Sequence, residues 1–536
     1  MKFREINRRS FVTGITGAVA ATHFQAFAAK EEGAGTGPVV DTTYGKIRGT
    51  GGNKLLSFRG VPYGGSTAGA GRFMPPSKPQ PWTGVKDCRE LGPISPQTLP
   101  GIEPPEVAST IPAPMLSEDC LVLNVWTPST RPGKRPVMVW LHGGGFTGGS
   151  AGYTIYDGGN LARKHDVVVV GINHRLNAFG FLYLAEIGGS KYAEASNAGM
   201  LDIVAALQWV RDNIEHFGGE PGNVTIFGQS GGGGKVSTLL AMPAAKGLFH
   251  KAIQQSGASI RGVSREAANK TAEAYLAKLG VKADQLDRLH DIPMQQLIDA
   301  TRGPFQFAPV VDGKTLPANP FDPAAPEISA DVPLLIGSTE DEITFFQGSP
   351  LFNFALDPID DATLHKNMKQ VLRSDDASAD AVIAAYKKEK QGIGNLDLFV
   401  RAASDNFVRT SILTEADRKV AQHKAPVYVY YFDWRSPVRD GKLGAYHTLE
   451  IPFVFDNLDV AKTMVGDGKG QTALEDKMSA AWTAFARSGN PSAKGLPQWP
   501  AYNTEQRPTM ILGNDCKVTN DPNREQLAAL TSIKRG

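Results

Sequence analysis

The feature that most restricts the fold of this chain is a series of short, continuously apolar runs separated by stretches of helical periodicity. The runs are VMVWL at 137–141, VVVVGI at 167–172, VTIF at 224–227, PLLIG at 333–337 and VYVYYF at 427–432. A strand with one face in water alternates apolar and polar residues, whereas a strand covered on both faces reads apolar throughout, as in a parallel sheet. Between the second and third runs, residues 197–217 repeat Leu201, Val204, Ala205, Leu207, Trp209, Val210 and Ile214 at helical spacing. Strand, helix and strand in that order predict an α/β fold, with a large, mostly parallel central sheet, helices on both faces and long excursions between strands. Residues 39–63 read instead as short strands with turns at Gly45, Gly49 and Gly51-Gly52-Asn53, an antiparallel start to the same sheet. No internal repeat or low-complexity tract interrupts this pattern. At 536 residues the chain exceeds an ordinary single domain, but one sheet with long insertions accommodates it, and 41% hydrophobic residues supply the core. A single domain is therefore expected over 39–536.

The first residues stand apart from the fold. Residues 1–28 combine a basic head, the pair Arg8-Arg9, a Gly/Ala-rich apolar run and the small-residue ending Ala26-Phe27-Ala28. This is the layout of a secretory signal of the twin-arginine type, with cleavage expected at Ala28/Ala29 and a linker over 29–38. The expected location is periplasmic or secreted. Lys2, Arg4, Arg8 and Arg9 against Glu5 account for three positive charges, so the formal net charge of +2 becomes −1 once they are removed. Charge thus gives no reason to expect a nucleic-acid or anionic-membrane partner. With only Cys88, Cys120 and Cys516, at most one disulfide can form. Neither Cys nor His recurs at metal-ligand spacing, and no metal or cofactor is expected.

Gly228-Gln229-Ser230-Gly231-Gly232 follows the VTIF run and leads into a helix of small residues. A serine at such a strand-to-helix turn is held in a strained conformation, and glycines two positions either side let strand and helix approach. Its hydroxyl then projects beyond the carboxyl end of the strand, where open α/β sheets bind ligands, with a helix N-terminus favouring negative charge behind it. Serine is a weak nucleophile without an oriented base and without donors aimed at the oxyanion. His142-Gly143-Gly144-Gly145-Phe146 follows the VMVWL run and places the amides of Gly144 and Gly145 to converge, with that of Gly231 as a third donor. One such donor is worth about 3 kcal/mol of barrier.

The chain resembles the type-B carboxylesterases, the α/β-hydrolase family of cholinesterases and bacterial para-nitrobenzyl esterases. The resemblance rests on ordered blocks across nearly the whole chain: FRGVPYG at 58–64, SEDCLVLNVWTP at 117–128, HGGGFTGGS from 142, FGGEPGNVTIFGQSGG at 217–232, APVVDG at 308–313, GSTEDE at 337–342, GAYHTLEIPFVF at 444–455 and FARSGNP at 485–491. It implies a serine carboxylester hydrolase with an active-site gorge formed by the insertions. It also implies that Glu342 is the acid, with Asp341 as the competitor, and that His447 is the base. Nine histidines remain after residues 1–28, and spacing alone does not choose among them. The order Ser230, Glu342, His447 is the α/β-hydrolase order. Ser256 and Glu450 match positions that brace the histidine. Gln229 and Phe146 are expected to line the substrate site.

Several residues depart from the family pattern. Gln229 stands where the family often has Glu, and residues 96–116 lack the aromatic residue with which cholinesterases grip a quaternary ammonium. The family's loop cysteine falls at Ser95, which leaves Cys88 as the candidate partner of Cys120. Lys235 replaces a small residue on the helix behind the nucleophile, where it is expected to be paired with a buried carboxylate or to guide anions. An amidase or carbamate hydrolase would use the same triad, and a non-catalytic binding protein is disfavoured because all three triad positions are present. A cationic choline ester gains nothing from such a site, since cation–π attraction is worth up to ~2 kcal/mol when desolvated. The carbon isostere of acetylcholine should therefore be hydrolysed at least as efficiently as acetylcholine at low ionic strength. A tenfold preference for the choline ester in kcat/KM would show that other residues form a cation site.

Overall fold

The computed structural model describes residues 37–533 apart from 53, 100–103, 350–351, 390 and 469. The proposed signal and all but the last two residues of the linker lie outside the described residues. From Gly37 onward the chain forms one compact unit. Its centre is an eleven-stranded sheet, with strands numbered here in chain order: β1 (Thr50–Gly52), β2 (Leu55–Pro62), β3 (Val122–Thr127), β4 (Arg135–Leu141), β5 (Val168–Ile172), β6 (Gly219–Gln229), β7 (Lys251–Gln255), β8 (Leu334–Thr339), β9 (Val427–Phe432), β10 (Pro508–Leu512) and β11 (Lys517–Asn520). The spatial order is β11-β10-β9-β8-β7-β6-β4-β5-β3-β2-β1. The seven strands from β10 to β5 are parallel, while β11 at one edge and β3, β2 and β1 at the other pair antiparallel.

Each face of the sheet carries its own core. Along β4, Val137, Val139 and Leu141 point into one core and Met138 and Trp140 into the other. The first core is closed by α1 (Ala198–Asn213) through Ile203, Leu207 and Val210, and by α2 (Gly231–Ala241) through Val236, Leu239 and Leu240. The second is closed by α3 (Thr472–Ser488) through Met478, Trp482 and Phe485. Burying a Val- or Leu-sized side chain contributes about 1.5–3 kcal/mol, which is why β5, β8 and β9 are buried along their whole length. Three helices of the excursion after β8 (Asp361–Leu372, Asp376–Glu389 and Asn395–Ser404) form a smaller core of their own.

The strand order reverses around β4. The chain steps from β4 outward to β5, then returns through α1 to place β6 on the other side of β4. Crevices at such switch points, beyond the carboxyl ends of the strands, are where open α/β sheets hold ligands. Leu141 at the end of β4 pairs with Gly228 near the end of β6, so the segments from His142 and from Ser230 emerge side by side.

Two expectations need correction. The strands Val39–Thr42 and Gly45–Arg48 do not begin the large sheet. They pair with each other and with Val85–Asp87 in a separate three-stranded sheet, and only β1 and β2 join the main one. Cys88 and Cys120 do not pair: all three cysteines are free thiols. The Cys120 thiol instead faces the Ser95 hydroxyl, and burial pushes both Cys88 and Cys120 up to about 12.

Candidate active site

The turn between β6 and α2 consists of one residue. β6 ends at Gln229 and α2 begins at Gly231, leaving Ser230 at φ 58° and ψ −125°. A non-glycine residue in so sparse a region costs about 1–3 kcal/mol and persists only where its surroundings hold it. The Ser230 N–H donates to the Gln255 carbonyl over 2.8 Å, and its own carbonyl accepts from the Gly234 N–H at 3.1 Å. Approach is too close for side chains: a Cβ on Gly232 would be driven into the Leu141 carbonyl, and one on Gly257 into that of Ser230. Any larger residue at either position should therefore displace the turn.

The structure brings Glu342 and His447 together and separates them from Asp341. The Glu342 carboxylate takes the His447 Nδ1–H through Oε2, while its Oε1 accepts the Thr339 N–H at 2.8 Å. Both side chains are buried, and Phe345 and Phe346 pack against the imidazole with ring centroids 5.5 and 5.1 Å away. A carboxylate on Nδ1 leaves the Nε2 lone pair free to act as an acceptor. Asp341 faces the other way. It takes the Arg435 guanidinium at 2.7 Å and the Ala445 N–H at 2.8 Å, and its own N–H donates to the Ala445 carbonyl at 2.9 Å. It thereby ties the acid turn to the histidine loop two residues before His447.

Gly144 (φ 85°) and Gly145 (φ 61°) lie in the left-handed region, which a glycine occupies without penalty. No acceptor among the described residues takes their amides, and both glycines are exposed, with Gly145 lying against the half-buried Gly231 next to Ser230. His142 lies beneath this loop. Burial first, and the nearby Lys235 charge second, lower it to about 3, so its neutral ring donates Nδ1–H to the Gly143 carbonyl at 2.8 Å. Among the described residues Lys235 has no carboxylate partner, contrary to expectation. Its buried Nζ donates to the carbonyls of His142 and Gly145, both at 2.9 Å.

The remaining predicted residues lie around this centre in ways their types did not reveal. Phe146 is half-buried at the end of the loop, its ring edge-on to Phe181 at 5.3 Å. Gln229 is fully buried rather than lining the cleft, and its amide nitrogen lies 3.1 Å from His447 Nε2, the geometry of an N–H donated to that ring nitrogen. Ser256 and Glu450 are buried without a hydrogen bond to the imidazole; Glu450 accepts from Gln255 at 3.2 Å, and Gln255 from Trp482 at 3.0 Å. Gln97, which no motif marks, clamps Gly149 at the far end of the glycine loop, donating to its carbonyl at 3.0 Å and accepting its N–H at 2.8 Å. Among the described residues no cluster of three or more His, Cys, Asp or Glu could hold a metal ion, and no helix is long and apolar enough to cross a membrane.

Residues 36–530 match the carboxylesterase family. The chain belongs to it. The para-nitrobenzyl esterase of Bacillus subtilis is 39% identical over 93% of this chain and 99% of its own length, and the phenmedipham hydrolase of Pseudarthrobacter oxydans is 35% identical over 90% and 96%. Among solved structures, a thermophilic PNB esterase superimposes with a TM-score of 0.79 at 38% identity, covering 92% of this chain and all of that one. This carboxylesterase is a carboxylic ester hydrolase of the α/β-hydrolase fold. Its buried Glu450 is pushed up to about 8 by burial, reinforced by the charge on Glu342. That value lies above the ordinary 4.5, so the folded protein keeps a proton that the unfolded chain releases, and stability falls as pH rises from 4.5 to about 8. Glu450→Gln removes the ionisation. Its Tm relative to wild type should climb across that interval in calorimetry, whereas a constant difference would mean that Glu450 does not titrate there.

Proposed function

We propose that this carboxylesterase cleaves carboxylic esters through an acyl-enzyme on Ser230, with His447 as general base and Glu342 as its orienting carboxylate. The observation that carries this reading is the imidazole fixed between two elements. Glu342 holds Nδ1, while Nε2 faces the strand end that bears Ser230. In the reaction the Ser230 hydroxyl takes the place of the Gln229 amide at Nε2 and gives up its proton there as Oγ attacks the ester carbonyl. The developing oxyanion is met by the N–H groups of Gly144, Gly145 and Gly231. Collapse breaks the C–O bond, and the alcohol departs with the proton from His447. Water then repeats the sequence on the acyl-enzyme and releases the acid. Gln229 acts in this scheme as a placeholder for the histidine rather than as a substrate contact, and Phe146 borders the entry to the oxyanion loop. Esters of para-nitrobenzyl alcohol are suitable first substrates, given the similarity to the Bacillus subtilis enzyme.

The twin-arginine pair and the small-residue ending of residues 1–28 support export, with the mature chain starting close to Ala29.

Ser230→Ala should fold and lose activity by several orders of magnitude, because members of a triad act as a unit. Glu342→Gln should be far more damaging to kcat than Asp341→Asn, since only the former disturbs the histidine tautomer. Retention of more than a few per cent of kcat in Ser230→Ala would overturn the nucleophile, and the reverse order of the two acid variants would overturn the acid.

A further inference from the structure

α2 carries a lysine where a solvated ammonium has no access to water. Lys235 is fully buried, and among the described residues no carboxylate pairs with it. A buried charge without a partner is expensive, so its position calls for a reason. The two acceptors of Nζ are the carbonyls of His142 and Gly145, each at 2.9 Å, and the Phe146 ring centroid lies 5.4 Å away. These carbonyls bracket the two peptide units whose N–H groups, those of Gly144 and Gly145, have no acceptor among the described residues. Gly145 in turn lies against Gly231, where a Cβ would collide with the Gly145 carbonyl. Lys235 sits one helical turn after Gly231, so its side chain ties the glycine loop to the helix that supplies the third amide.

We propose that Lys235 is a positioning residue for catalysis, whose ammonium holds the oxyanion loop against the nucleophile helix and adds an uncompensated positive field where the tetrahedral oxygen becomes charged. This inference rests on the triad and oxyanion roles above. A plain tether would need no charge, and the surroundings leave this one unopposed. His142 and His174, stacked 4.9 Å apart, are both held neutral by burial and by Lys235 itself. Arg175 beside them is paired with Asp202. Glu415 reaches α2 at Ser237 over 2.8 Å and is pushed up to about 8, so it stays protonated at neutral pH. Burial lowers Lys235 itself to about 7. Its charge is present below that pH and lost above it, so a rate that depends on this charge falls as pH rises.

The test compares wild type with Lys235→Met and Lys235→Gln on para-nitrophenyl acetate from acid to alkaline pH, together with inhibition by a trifluoromethyl ketone that Ser230 would capture as an anionic hemiketal. Lys235→Met should lose about 10²-fold in kcat, the loss typical of one oxyanion donor, with KM nearly unchanged. The ketone should bind correspondingly more weakly, and the alkaline fall in rate expected of wild type should be absent. Lys235→Gln, which keeps a donor but no charge, should resemble Lys235→Met. Wild-type kcat in Lys235→Met, a loss confined to KM, or full activity in Lys235→Gln would overturn the proposal. If neither variant folds, the wild-type ketone affinity decides: it should weaken as pH rises through about 7, and a flat profile would overturn the proposal. Failure of the triad reading would show separately, as activity surviving Ser230→Ala.

Discussion

A serine held at φ 58° between a buried strand and a helix is the constraint around which the rest of this molecule is arranged. The turn stays strained because its backbone is held from several sides. The Gln255 carbonyl fixes its N–H, the Leu141 carbonyl presses on Gly232, and Gly257 lies against its own carbonyl. These contacts exist only because β4, β6 and β7 are adjacent in the sheet, with the order reversing between β4 and β6. The reversal that opens a crevice for substrate thus also brings the glycine loop after β4 to the helix after β6. Fold and site are two consequences of one strand arrangement.

The second organising principle is control of charge in a dry interior. Glu342 is braced on one oxygen by a backbone N–H and on the other by the imidazole. Two buried carboxyls, Glu450 and Glu415, are both pushed up to about 8 and so remain neutral at pH 7. His142 and His174 are neutral as well. Low dielectric strengthens the interactions that remain, among them the contact of Glu342 with His447 and, on the reading proposed above, the ammonium of Lys235. The more exposed ion pairs of Arg435 and Arg401 with Glu340 lie behind the acid turn and brace it mechanically.

What could be read from the sequence was whatever depended on local pattern. The five apolar runs are strands, the helix over 197–217 is α1 with a short 3₁₀ extension at Ile214–Phe217, and the glycine-flanked serine lies at the predicted strand-to-helix turn. β7 escaped notice because Lys251–Gln255 is short and ends in two glutamines, which are buried by their neighbours rather than by their own apolarity. The separate three-stranded sheet went unseen because pairing of Gly45–Arg48 with Val85–Asp87 is non-local. No spacing rule could join Glu342 to His447, which are 105 residues apart across the helical excursion; the family resemblance did so. The contact between Gln229 and His447 and the tie from Lys235 to two carbonyls were invisible for a further reason. Each is a side chain meeting a distant loop inside the core, which neither residue type nor spacing reveals.

All of this depends on Ser230 being the one activated hydroxyl of the protein. The direct measurement is reaction with a fluorophosphonate followed by peptide mapping. The account predicts one phosphonyl group per chain, carried on the peptide that contains Ser230, with loss of hydrolysis in step with labelling. A label on any other residue, or complete labelling with activity intact, would contradict it.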